Sequence, residues 1–360
     1  MSFRSRLVVL LVVLLAAAPA RAAAPASRAL LADSGSPAQP RGWTCVELDM
    51  PPRLQWDQYS GYCGETSLQM AALYYGAWIS QAAARAAGGS PQDGGQLLLP
   101  LDASKADVAG IGRNLVMAAE SLKLKVSRFA SASGGRQSGA ALQWAKGHVV
   151  AGRPVILGVY ISRCGDGCWD RYDHIIPATG YCTQAPPLDG GAAPRDADVI
   201  KLASLYSRRA TWRALGGWPA APTDADSDDA CGASLGKCGC LPLGTNYAVA
   251  VWGLADANKT SLPVRLQVSS ASEPNVAAGR RPGLLTGAAT ARGLEAGRRY
   301  RLLRYDAPAG VPTAGGRDAF LNSKYDSSLD FVAAGPEFKW KDPRKIESNG
   351  FAYYRCVPLP

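Results

Sequence analysis

The chain has 360 residues and a formal net charge of +10; 47% of its residues are hydrophobic and 8% aromatic. That length and apolar content exclude a disordered, low-complexity protein and suffice for one large domain or two ordinary ones with proper cores. Its basic residues are scattered, with Arg-Arg pairs at 208–209, 280–281 and 298–299 but no long run, which argues for a solvated surface and against nucleic-acid binding.

At the N-terminus, Arg4 and Arg6 precede an apolar run from Leu7 to Ala18, followed by the small-x-small site Ala20-Arg21-Ala22. This pattern predicts a secretory signal peptide over residues 1–22. The run is short for a bilayer span, and no later stretch approaches the roughly 18 to 20 apolar residues required, so a soluble, exported protein (extracellular or periplasmic) is expected. Cleavage would take Arg4, Arg6 and Arg21 and lower the charge from +10 to +7. Residues 23–42, rich in Ala, Pro and Ser, read as a flexible lead-in.

Nine cysteines in an exported chain predict four disulfides and one free thiol. Cys63 is the expected free one. Cys164 with Cys168, across a Gly-Asp-Gly loop, and Cys45 with Cys356, joining the two ends, are the expected pairs. Cys231, Cys238 and Cys240 fall in a Gly-rich connection over residues 217–244 and read as cross-linked loops; no His near them completes a zinc site.

After Gly64, Leu68, Ala71, Ala72 and Tyr75 recur at helical spacing and predict a helix that begins at Cys63. The segment SQAAARAAGG predicts a second helical turn closed by Gly88-Gly89, residues 102–124 an amphipathic helix, 125–129 a short strand and 140–150 another helix. From Pro154 the period changes to strands at 154–162, 174–182 and 198–207. Helices followed by antiparallel strands predict an α+β domain over residues 43–216. Residues 246–254, 262–270 and 298–306 are strand-like and predict an appended β-rich, sandwich-like domain over residues 245–360.

The chemistry centres on residues 55–76, QWDQYSGYCGETSLQMAALYYG. A thiol at a helix N-terminus faces unpaired backbone N–H groups and the positive end of the dipole, which favour thiolate; Cys63 is therefore the candidate nucleophile. Only two histidines exist, His148 and His174. His148 sits on a predicted helix end and reads as a solvated or capping residue. His174 opens a strand, from which its imidazole can act as base toward the cysteine, the two groups being supplied by separate rigid elements.

With Tyr62-Cys63-Gly64, the small and apolar positions that follow, Tyr74-Tyr75-Gly76, and Asp173-His174 through Gly180-Tyr181, the chain over about 55–206 resembles the papain-like cysteine peptidase superfamily. It is closest in pattern to the bacteriocin-leader processing peptidases and phytochelatin synthases. The resemblance implies papain-like helices packed on an antiparallel sheet, and a thioester mechanism with Cys63 as nucleophile and His174 as base. It also implies a glutamine in the oxyanion hole. Where these families carry that glutamine, six residues before the nucleophile, this chain has Asp57, leaving Gln58 or Gln55 for the role. The histidine-orienting Asn or Asp of the family is replaced by Ala203 and Ser204 on the next strand, so Ser204, Asp198 or a water takes that place, or the pair acts as a dyad. A peptide or protein substrate is expected, with no metal and no organic cofactor. The competing expectations are a non-catalytic relative that binds peptides or glycans, and an acyl or amide transferase on the same thioester chemistry.

Overall fold

Burial runs through both ends of the first α-helix: in the computed structural model, α1 (Cys63–Tyr74) has eleven buried residues, from Cys63 to Leu73. It is all but enclosed, so it lacks the polar face of a surface helix. The structure describes residues 42–56, 61–88, 97, 111–131, 136–159, 172, 174–216, 241–242, 244 and 246–360. These fall within one compact unit.

Strand β1 (Thr44–Glu47) precedes α1, and β2 (Ala77–Ile79) follows it directly. Helix α2 (Gln81–Ala87) starts on Ser80, whose hydroxyl accepts the Ala83 N–H, a side-chain cap worth about 1 kcal/mol. Then come α3 (Arg113–Ser121), β3 (Leu124–Arg128), α4 (Ser138–Val150), β4 (Val155–Val159), β5 (His174–Thr183), β6 (Val199–Ala203), β7 (Ala210–Ala214) and β8 (Ala248–Leu254). The helices and the antiparallel sheet confirm the α+β class. Among the described residues seven strands form the main sheet, in the order β3-β8-β4-β5-β6-β7, with β1 also on β5. β5 is buried along its whole length, and β4 pairs with its first half, setting Val159 opposite His174.

The C-terminal part contributes β9 (Val264–Val268), β10 (Leu284–Arg292), β11 (Arg299–Tyr305), the short helix α5 (Gly316–Leu321), β12 (Ser327–Val332), β13 (Glu337–Glu347) and β14 (Phe351–Pro358). Sheets β13-β10-β9 and β12-β11-β14-β2 enclose a shared core that includes Leu266, Ala289, Leu302, Tyr354 and Cys356. The expected boundary at 245 is crossed in both directions. β8 inserts between β3 and β4 of the main sheet, and β2, from the N-terminal part, pairs with β14. The run AVAVWGL marks a buried strand, but which sheet it joins is decided by pairing over more than a hundred residues, which composition does not encode.

The disulfide pattern also differs from expectation. Cys45 bonds to Cys182, because β1 lies antiparallel to β5 in a register that sets these two residues directly opposite. Cys356 is a free, buried thiol in the sandwich core, so the described residues hold two free cysteines, Cys63 and Cys356. The remaining five cysteines lie outside the described residues. The Cys45–Cys182 bond closes a separation of 137 residues, and replacing both cysteines by alanine is expected to lower unfolding free energy by about 2–4 kcal/mol in urea titrations.

No helix among the described residues is long and apolar enough to cross a membrane.

Candidate active site

The approach to Cys63 is built by a glycine turn and a buried ion pair. Gly61 has φ +67°, a left-handed conformation, and Tyr62 is the residue from which α1 starts. Glu65, in the first turn, is fully buried and accepts from Arg85 Nε at 2.8 Å. Arg85 also donates to the Gly61 carbonyl at 2.6 Å and lies over the Tyr62 ring, 3.6 Å from its centroid. This pair ties α2 to the turn that delivers the cysteine. Burial pushes the Glu65 carboxyl above its ordinary value, opposed by the Arg85 charge.

Cys63 itself is 2% exposed. It lies in the core with Ile175 and Tyr247, and a side chain on the adjacent Gly64 would meet Ile175 Cδ1 at 3.3 Å. The first turn of α1 therefore rests against β5 one residue beyond His174. Leu97 covers this turn: a side chain on Gly64 would meet Leu97 Cβ at 2.7 Å, so only glycine fits there. Leu97 is held by its N–H to Glu65 at 3.3 Å and by the Tyr247 hydroxyl, which donates to its carbonyl at 3.0 Å.

These surroundings overturn the expectation of a ready thiolate. Burial first, and the Glu65 carboxylate second, push the Cys63 thiol up to about 12, and the backbone amides of Ile175, Gly64 and Cys63 itself pull it down by less. At neutral pH the sulfur carries its proton.

His174, 2% exposed, begins β5. Its neighbour is Tyr206: the rings stack at 13° with centroids 5.2 Å apart, and the Tyr206 hydroxyl stands 3.5 Å from Nδ1. Asp198 and Ser204 are engaged with other partners. The Asp198 carboxylate accepts from the Tyr181 hydroxyl at 2.5 Å and from the Arg195 N–H at 3.0 Å. The Ser204 hydroxyl accepts the N–H groups of Tyr206 and Ser207, both at 3.2 Å, and so shapes the turn that presents Tyr206.

Of the two glutamines, Gln58 lies outside the described residues, as does Asp173. Gln55 is buried, and its N–H donates to the Leu205 carbonyl at 3.0 Å, joining the segment before Cys63 to the turn after β6. Gln81, at the start of α2, clamps both sides of it, accepting the Trp56 N–H at 3.1 Å and donating to the Leu54 carbonyl at 3.0 Å. Gln55, Trp56, Leu205 and Tyr206 line an open cleft of about 560 Å³, closed on the other side by residues from Ser272 to Arg280. The structure thus sets Gln55 and Tyr206 on one cleft with His174 behind Tyr206, while Cys63 lies beneath Leu97.

A buried polar network forms the floor. Glu273 accepts from the Gln81 N–H at 2.9 Å and from Gln69 Nε2 at 3.2 Å, and stands 3.7 Å from the Arg53 guanidinium. Arg53 also donates to Gln69 at 2.8 Å and to the Ser270 carbonyl. Burial raises the Glu273 carboxyl to about 7 and lowers Arg53 to about 10.

Glu65, Arg85, Gln81 and Tyr206 escape sequence reasoning. Only Tyr206 left a signal: it falls within the strand-like stretch 198–207, where a search restricted to Asn and Asp passes over a tyrosine. His148 is partly buried, packed against Trp144 with ring centroids 4.3 Å apart and against Trp252 at 5.5 Å; burial and Arg153 lower its pKa to about 4. It belongs to the far side of the sheet and carries no part of the site. No group of three or more His, Cys, Asp or Glu side chains fit to hold a metal occurs among the described residues. No protein-family model and no curated protein sequence matches the chain.

Proposed function

We propose that the protein is an exported cysteine hydrolase of papain-like type acting on peptides, with Cys63 as nucleophile and His174 as base. The observation that carries this reading is the packing of the first turn of α1, where Cys63 stands, against the start of β5, where His174 stands. Because the thiol is protonated at rest, the imidazole takes its proton as the sulfur attacks the peptide carbonyl, and then passes that proton to the departing amine. The thioester left on Cys63 is hydrolysed by water, which His174 deprotonates in turn. The Cys63 N–H and a glutamine side chain, Gln55 on the cleft or Gln58, hold the oxyanion. Tyr206 positions the imidazole by stacking and by its hydroxyl near Nδ1. The signal-like N-terminus and the Cys45–Cys182 disulfide support export.

Incubation with a peptide mixture, read by mass spectrometry for newly formed termini, tests the reading. The wild type is expected to generate new termini and His174→Ala none above background; equal yields from both would overturn it. Tyr206→Phe, which keeps the stack and loses the hydroxyl, is expected to lower kcat about tenfold with little change in melting temperature. A Tyr206→Phe enzyme with wild-type kcat would remove the hydroxyl from the mechanism.

A second reading has its own support. A cysteine 2% exposed under Leu97, with its thiol pushed up to about 12, is also what a protein that binds peptides without cleaving them would show. Such a protein would yield no new termini.

A further inference from the structure

Two of the three Arg-Arg pairs in the sequence include or closely follow residues that line the cleft. Arg280 lines it and Arg281 follows. Arg208 and Arg209 follow the cleft residue Tyr206, within the turn that Ser204 closes through its N–H to the Arg209 carbonyl at 2.9 Å. All four are exposed, and none makes an ion pair among the described residues. Some other surface arginines are matched: Arg265 pairs with Asp49, Arg292 with Glu337 and Arg301 with Asp330. Among the described residues the one acid in the cleft wall is Glu273, which is buried and turned to Arg53, Gln69 and Gln81.

Arg280 owes its place to the backbone. Residues Val276–Ala278 form a single 3-10 turn started by Asn275, whose side chain accepts the Ala278 N–H at 3.0 Å. The Asn275 carbonyl accepts the Arg280 N–H at 3.2 Å, which folds the arginine back to the cleft. Beside Arg280 the cleft wall is apolar and aromatic, from Leu54, Trp56, Leu205 and Tyr206. The Trp56 indole N–H is buried with no acceptor among the described residues, a donor left over in that wall.

We infer that this cleft binds an acidic segment of a peptide, its carboxylates held by Arg280 and the adjoining arginines and an apolar side chain seated between Trp56 and Tyr206. The inference rests on the hydrolase reading, to which it adds the substrate class. A cleft of about 560 Å³ accommodates a short stretch of side chains. Unpaired guanidinium groups at its rim favour carboxylates by direct, bidentate pairing and by steering. The aliphatic part of the wall, Leu54 and Leu205, favours an apolar peptide side chain over a sulfated glycan, whose surface is charged and hydroxylated. A peptide seated there touches Tyr206, and through its stacked ring bears on His174.

The test uses the full chain carrying Cys63→Ala, so that binding is read without turnover. Fluorescence anisotropy compares a labelled peptide with a central Leu flanked by Glu residues, its Lys-flanked counterpart, and a heparin-derived oligosaccharide. The Glu peptide is expected to bind about tenfold tighter than the Lys peptide and to weaken between about 50 and 300 mM salt. Arg280→Glu and, separately, Arg208→Glu are expected to erase that preference; both side chains are exposed, so the variants should keep the melting temperature. Equal binding of the two peptides, an unchanged preference in both variants, or binding of the oligosaccharide alone would overturn the inference. Acidic preference without any turnover by the wild type would instead sink the hydrolase reading and leave the cleft assignment standing.

Discussion

Replacing Cys63 by alanine is expected to lower the rate of peptide hydrolysis by about four orders of magnitude or more, because without the sulfur no thioester forms and only positioning remains. The loss should appear in kcat. The structure also changes what the substitution does to stability. Cys63 is almost fully enclosed, in a core that includes Leu97, Ile175 and Tyr247. Removing its sulfur leaves a small void, a cost of about 1 kcal/mol and a few degrees in melting temperature. Initial rates and urea unfolding on the same preparation separate the two effects. A loss of activity matched by a stability loss of several kcal/mol would make Cys63 a structural residue.

The second large effect concerns the floor of the cleft. Glu273→Ala is expected to destabilise the fold by about 3–5 kcal/mol, since it strands the Arg53 guanidinium where water cannot reach it and leaves the Gln81 N–H without its acceptor. Glu273→Gln, which keeps an acceptor for that N–H, should cost less. The pH dependence has a definite sign. Burial raises the carboxyl from 4.5 to about 7, so the folded protein holds this proton more tightly than the unfolded chain does. The associated stability is fully present below about pH 4.5 and is lost as pH rises through about 7. Wild type should therefore lose up to about 3 kcal/mol across that window relative to Glu273→Gln. Parallel urea midpoints for the two proteins over this range would contradict the assignment.

The sequence made the local elements legible where one period dominates. The apolar spacing after Gly64 predicts α1, and the β-branched runs 154–162 and 174–182 predict β4 and β5, because side-chain periodicity is a property of a few consecutive residues. What joins those elements was not legible. Nothing in AVAVWGL says that it pairs with β3 and β4, and nothing around Cys45 says that its partner is Cys182 and not Cys356; both follow from registers set across the chain. The site divides in the same way. Cys63 and His174 stand out because helix starts and scarce residue types are visible in one dimension. Tyr206, Glu65 and Arg85 act through contacts with residues 20 to 32 positions away, and the covering Leu97 reverses the thiolate preference that a bare helix N-terminus would give.

The central claim is that Cys63 reacts with a carbonyl-like electrophile with the help of His174. The most direct measurement is to treat the protein with a peptidyl chloromethyl ketone, map the adduct by mass spectrometry, and follow its rate of formation from pH 6 to 10. A single adduct on Cys63, formed about a hundredfold more slowly in His174→Ala, is predicted. No adduct on Cys63, or one whose rate ignores His174 and rises only with hydroxide toward a thiol pKa of about 12, would contradict it.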